Sequence, residues 1–180
     1  IKKGFRKNCI SKDKLHLESK KIMMKLQAAF VQIFPSIINQ NKKLCLYANI
    51  KRQFRLEPYL NNVTNVKHRV SICKFRTSSH NLPIEVGRYN GLEQNERFCK
   101  MCTQNEIGTE LHVLFNCNNE KIVSVRGKML KEIENLCNQF IKLSNESKLV
   151  YILSCCDKDI TNKIGVFLCE VLDLHKLLNG

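Results

Sequence analysis

Aspartate is scarce in this chain. It occurs only at Asp13, Asp157, Asp159 and Asp173, with no adjacent pair following a tyrosine. A polymerase holds two metal ions with clustered carboxylates, so this sequence offers no polymerase site. It also has no convincing carboxylate–lysine cluster for a nuclease. Proline and glycine are few, 3 and 7 among 180 residues, which argues against fibrous and bulk-disordered classes. There is no apolar leader: the first residues, Ile1–Asn8, are basic, and Lys12, Lys14, Lys20 and Lys21 follow. The apolar runs Ala28–Phe34 and Ile164–Leu174 read as too short or too charged to span a membrane. The sequence-based expectation is an intracellular protein with no membrane partner, its ten cysteines reduced. The chain starts with Ile1 rather than Met, which fits an internal or truncated piece of a longer product.

What is present is positive charge, unevenly placed. Residues 1–90 carry 19 Lys and Arg against 4 Asp and Glu, whereas residues 91–180 carry 11 against 12. A basic half of this kind suits a polyanion, nucleic acid first and an anionic membrane surface second, with a merely solvated basic face as the alternative.

Apolar periodicity predicts a mainly α fold: small helical units around a Cys/His segment with an irregular loop, and a C-terminal helical bundle. Three segments are expected: 1–60 basic and helical, 61–120 a basic helix, loop and metal module, and 121–180 the bundle. The pattern predicts helices over Leu15–Phe34, ended by Pro35, over Leu44–Leu56, and over about Val63–Thr77 with Val66, Val70 and Cys73 on its apolar stripe. Residues 78–98 read as loop, and 41–43 and 144–147 as connections. A short helix capped by Thr109 should run to about Asn116. Later stripes are Ile122/Met129/Ile133/Leu136/Cys137/Phe140, then Leu149/Ile152/Leu153/Cys156, then Ile160/Ile164/Phe167/Leu168/Val171 with Asp159 as cap.

The pattern Cys99-x2-Cys102-x9-His112-x4-Cys117 has the spacing of a metal site. Three thiolates and an imidazole form a soft tetrahedral set suited to Zn²⁺, and four protein ligands leave no position for a catalytic water. On an ideal helix His112 and Cys117 point about 140° apart, so the helix should loosen at Asn116–Asn118 through a left-handed exit. Arg97 and Lys100 are near enough in sequence to offset the site's negative charge. The other cysteines, Cys9, Cys45, Cys73, Cys137, Cys155, Cys156 and Cys169, read as buried free thiols.

Basic side chains precede this segment. Lys67, Arg69, Lys74, Arg76, His80, Arg88 and Arg97 are the candidate nucleic-acid contacts, with Tyr89 and Phe98 available to stack on unpaired bases. A purely structural alternative pairs Glu85 with Arg76, Arg88 or Arg97 and lets His80 satisfy a loop carbonyl.

The run from Arg76 to Cys117, RTSSHNLPIEVGRYNGLEQNERFCKMCTQNEIGTELHVLFNC, resembles the Cys/His segment downstream of the polymerase in non-LTR (LINE-type) retrotransposon reverse transcriptases. Arg76, His80, Leu82, Glu85, Gly87, Arg88, Arg97, Cys99, Cys102, Glu110, His112 and Cys117 carry the match, which spans about 42 residues. The Asn-Asn-Glu after Cys117 departs from the family's usual pattern. The resemblance implies a zinc-stabilised, non-catalytic module that binds template RNA or target DNA beside the upstream polymerase domain of the same protein. The competing expectation is a zinc-stabilised protein-interaction module whose active surface is the 121–180 bundle.

Overall fold

A computed structural model describes residues 11–51 and 53–179. The basic segment 1–10, with Cys9, lies outside the described residues. The fold is mainly α, as the periodicity predicts. Its helices are α1 (Lys12–Gln40), α2 (Cys45–Ile50), α3 (Pro58–Asn62), α4 (Val66–Arg76), α5 (Pro83–Tyr89), α6 (Glu120–Leu136), α7 (Asn145–Ser154) and α8 (Lys158–Asn179). Among the described residues the sole β feature is an isolated antiparallel bridge between Phe98 and Ile107.

The centre of the molecule is α8, which packs against both α4 and α6. Ile160, Ile164, Phe167, Leu168, Val171 and Leu172 recur at three- and four-residue spacing along it and are all buried. Gly165 permits the close approach of α4: a Cβ there would sit 2.8 Å from the Cβ of His68. One hydrophobic cluster runs from Ile50 and Tyr59 through Ile72, Phe75 and Leu114 to Ile133, Leu153 and Leu172. The 61–120 and 121–180 segments therefore share a single core.

Several local expectations need correction. Pro35 does not end the first helix; α1 continues through it to Gln40. Proline costs the interior hydrogen bond to residue 31, but anchors lie on both sides of it. Phe30 stacks on Phe34 at 4.1 Å, Phe34 meets the Tyr47 ring edge at 6.0 Å, and Ile38 is buried. With this added length, α1 becomes long and apolar enough, by length and composition, to cross a membrane, contrary to the reading of shorter runs. Leu15, Ile22, Met24, Leu26, Val31 and Ile37 on it are exposed.

The helix predicted over Leu44–Leu56 stops at Ile50, and Pro58 opens α3 as its first residue. On α4 the buried face is Ser71, Ile72, Phe75 and Arg76, while Val66 and Val70 face solvent; the demands of α8 outweigh the local stripe. Residues 78–98 are not all loop. They include α5, because Pro83 at the first turn favours a helix start rather than a break. Asp157, not Asp159, caps α8 by accepting from the Ile160 N–H at 2.9 Å. Ser144, within the expected connection, caps α7 by accepting from the Ser147 N–H. Phe140 is buried, but in a separate 3₁₀ turn beyond α6, and Leu136 is half exposed. Cys45 and Cys156 are exposed rather than buried.

Candidate metal centre

Two short pieces of chain meet to bring the four ligands together. The first is a tight hairpin: the Gly108 N–H donates to the Arg97 carbonyl at 2.8 Å and the Cys99 N–H to the Glu106 carbonyl at 2.7 Å. Asn105 turns it with a left-handed φ of 55°, a conformation asparagine tolerates better than most residues. Cys99 and Cys102 sit on this hairpin. The second piece begins at Thr109, whose hydroxyl accepts from the His112 N–H at 3.1 Å, as a cap should. It then winds as a π-turn over His112–Asn116, in which the Cys117 N–H reaches the His112 carbonyl.

That π-turn resolves the geometric conflict seen in the sequence. Wider winding makes the fifth residue return to the same side, so His112 and Cys117 face one point. The loosening therefore lies within 112–116, not at a left-handed exit; neither Asn116 nor Asn118 has positive φ. The ligand atoms of Cys99, Cys102, His112 and Cys117 all lie within 4.8 Å of one another. The Cys99 and Cys117 sulfurs are 4.0 Å apart, and the Cys102 sulfur is 3.3 Å from His112 Nε2. A tetrahedral zinc with Zn–S of about 2.3 Å would hold sulfurs about 3.8 Å apart. The donor set fits, and the four residues can hold a metal ion. Cys99, His112 and Cys117 are buried, with Cys102 half-buried.

The electrostatics suit a cation. The Cys117 thiol hydrogen-bonds to Cys99, and the Met101 and Cys102 N–H groups and the Cys102 thiol add to it. Together they outweigh burial and lower the Cys99 pKa to about 4. Cys117 is pushed up by the Cys99 thiolate and by burial. His112 Nδ1 is buried without a hydrogen bond and faces Glu106 Oε2 at 3.9 Å, so the orienting carboxylate common behind a ligating histidine is close by. Around the site, the Asn119 amide donates to the Met101 carbonyl and Arg126 Nη2 to the Cys117 carbonyl, both at 2.9 Å. Arg126 is a residue that sequence spacing missed: it lies on α6 and reaches back to the site.

Most of the other basic candidates turn out to be structural. Arg76 is buried, pairs with Glu57 at 2.5 Å, donates to the Leu153 carbonyl, and lies 5.8 and 5.4 Å from the Tyr47 and Tyr59 ring centroids. His80 is buried and pairs with Glu110 at 2.9 Å, not with a loop carbonyl. Burial raises the Glu110 carboxyl, but hydrogen bonds from His80 and Ser78 and the attraction of His80 outweigh it, leaving it below the usual range. Arg97 donates to the Leu92 and Ile84 carbonyls, and its stem fills the space a Cβ on Gly87 would need, 2.4 Å away. Arg69 donates to the Leu60 and Val63 carbonyls. Arg76 and His80 are corrected from contacts to supports because both are buried with partners inside the fold, while the half-buried Arg69 and Arg97 spend their hydrogen bonds on backbone carbonyls. Arg88 pairs with Glu85 at 2.8 Å while remaining 41% exposed, and Lys67 points to solvent. Lys74 is half-buried. Lys67, Lys74 and Arg88 remain available to a partner.

Comparison with protein-family models, with curated proteins and with solved structures gives no match.

Proposed function

We propose that this chain is a non-catalytic, zinc-stabilised nucleic-acid-binding module of the kind found downstream of the polymerase in non-LTR retrotransposon reverse transcriptases. The observation that carries the reading is the use made of the resembling residues. Those that are not metal ligands are joined to one another or to the core around the ligands. His80 pairs with Glu110, Glu85 with Arg88, and Gly87 receives the stem of Arg97. Leu82 is fully buried, and Arg76 ties α4 to Glu57 and α7. A motif whose members cooperate in one small structure is unlike a chance scatter of cysteines and histidine. Zinc is the metal this set of three sulfurs and one nitrogen favours, in a structural role.

Nucleic acid is the partner favoured by the basic first half and by the solvent-accessible cations Lys67, Lys74 and Arg88, the last shared with Glu85. The exposed apolar residues of α1 favour an additional protein contact, for which the upstream polymerase domain of the same protein is the natural occupant. The interaction-module alternative would make that protein contact the main role.

Purified chain should carry about one zinc ion and bind RNA or DNA with an affinity that falls steeply with salt. It should neither extend a primed template nor nick DNA. Salt-insensitive binding to a protein alone would favour the interaction module. Incorporation or nicking abolished by a point mutation in this chain would overturn the non-catalytic assignment.

A further inference from the structure

Four segments distant in sequence converge on a cleft of about 390 Å³ on the face carrying His80. Lys43 reaches it from the 3₁₀ turn between α1 and α2, Lys74 from α4, Arg88 and Tyr89 from the end of α5, and Lys176 from the last turns of α8. Glu85 is the single carboxylate among the lining residues, and Arg88 already pairs with it. Lys176 also meets Asp173 at 3.4 Å, but both partners are 63% exposed, and a solvent-screened pair of this kind yields readily to a stronger anion. Beside these cations Tyr89 is 87% exposed and lines the cleft, which leaves its ring accessible to a ligand.

The geometry points to this cleft as the seat of a backbone phosphate of single-stranded nucleic acid, with an adjacent unpaired base stacked on Tyr89. The inference rests on the nucleic-acid reading above and narrows it. Converging cations attract phosphate whatever the base, while a free aromatic face selects a base not already paired in a duplex. It also brings Lys176, from the weakly acidic C-terminal half, into a surface that charge distribution alone assigned to the basic first half. Lys43 joins it for the same reason: tertiary packing, not sequence proximity, gathers the site.

The test is fluorescence anisotropy with the full, metal-loaded chain and labelled single-stranded RNA, single-stranded DNA and a duplex, across a salt series. Tyr89→Ala should weaken single-strand binding about tenfold or more and leave duplex binding unchanged, while Tyr89→Phe should retain it. Replacing Lys74 and Lys176 together with Ala should flatten the single-strand salt slope by about 1.4. Melting curves on each variant establish that it is folded, and the exposure of Tyr89 and Lys176 favours that. Wild-type binding with all variants unaffected would overturn the cleft and leave the nucleic-acid reading standing. Absence of any nucleic-acid binding by the wild type would overturn both. Equal loss on single strands and duplex in Tyr89→Ala would overturn the stacking role, and binding to anionic vesicles in place of nucleic acid would overturn the choice of partner.

Discussion

Arg76 shows how far a residue's role can move once its surroundings are known. As a basic side chain beside a metal motif it reads as a phosphate contact, yet it is buried between two tyrosine rings with Glu57 and the Leu153 carbonyl as partners. Removing Arg76 takes one of the two cations from Glu57, which keeps Lys51 at 2.5 Å, and leaves the Leu153 carbonyl without its donor, at a cost of about 3 kcal/mol. Arg76→Ala should lower the melting temperature by roughly 6–12 °C or more and leave the salt slope of nucleic-acid binding in the folded fraction unchanged. Lys67→Ala, at an exposed position, should change stability by no more than about 0.5 kcal/mol. Parallel thermal melts and salt titrations of the two variants separate support from contact. Among the ligands, Cys102→Ser and His112→Ala should each abolish stoichiometric metal, as read by elemental analysis of protein purified without added zinc.

The π-turn over His112–Asn116 and the seam between α4 and α8 are the two elements on which the arrangement depends most. Inserting one alanine after Asn116 would place the histidine and the cysteine six residues apart, pointing about 120° away from a common side on a helix. The insertion should cost the metal while α6 and α8 retain their helicity, checked by metal content together with circular dichroism. At the seam, Gly165→Val should force α8 off His68, since even a Cβ there comes within 2.8 Å of it. Overpacking of this kind costs about 1–3 kcal/mol, measurable as a lower urea midpoint with unchanged zinc content. An unaltered midpoint would show that α4 and α8 can separate without penalty.

Over the whole molecule, a metal on these four residues would close a shell that begins at the Arg97 hairpin and ends at the core residues Val113 and Leu114, both fully buried. Chelation under reducing conditions should therefore lower the melting temperature and speed hydrogen exchange over residues 97–117 first, with α8 the last to respond. Acid should act in the same direction. The hydrogen bond between Cys99 and Cys117 pulls the Cys99 thiol down and pushes the Cys117 thiol up, so metal binding should displace the proton that the pair retains. Zinc affinity should rise with pH and fall as pH drops, by about tenfold per pH unit for each proton displaced. A competition titration with a chromophoric chelator from pH 8 to pH 6 measures it, and a pH-independent affinity would rule out thiolate coordination.

The amino-acid sequence by itself determined the mainly helical class, the apolar faces of α6, α7 and α8, the Thr109 cap and the four residues that can hold a metal. Each of these follows from spacing along a short stretch of chain, where geometry is local and periodic. Only tertiary structure decided which face of α4 turns inward, because α8 supplies the neighbour that buries Ile72 and Phe75 and leaves Val66 and Val70 outside. It also decided that α1 runs through Pro35, since contacts with Phe54 and Tyr47 offset the missing hydrogen bond. The division of the arginines was likewise invisible in one dimension. Arg76 meets Glu57 and Leu153 across 19 and 77 residues of sequence, and Arg126 meets Cys117 only because a helix folds back over the site. A guanidinium looks the same in sequence whether its partner is a phosphate in solution or a carbonyl in the core, and the difference lies wholly in what the rest of the chain brings to it.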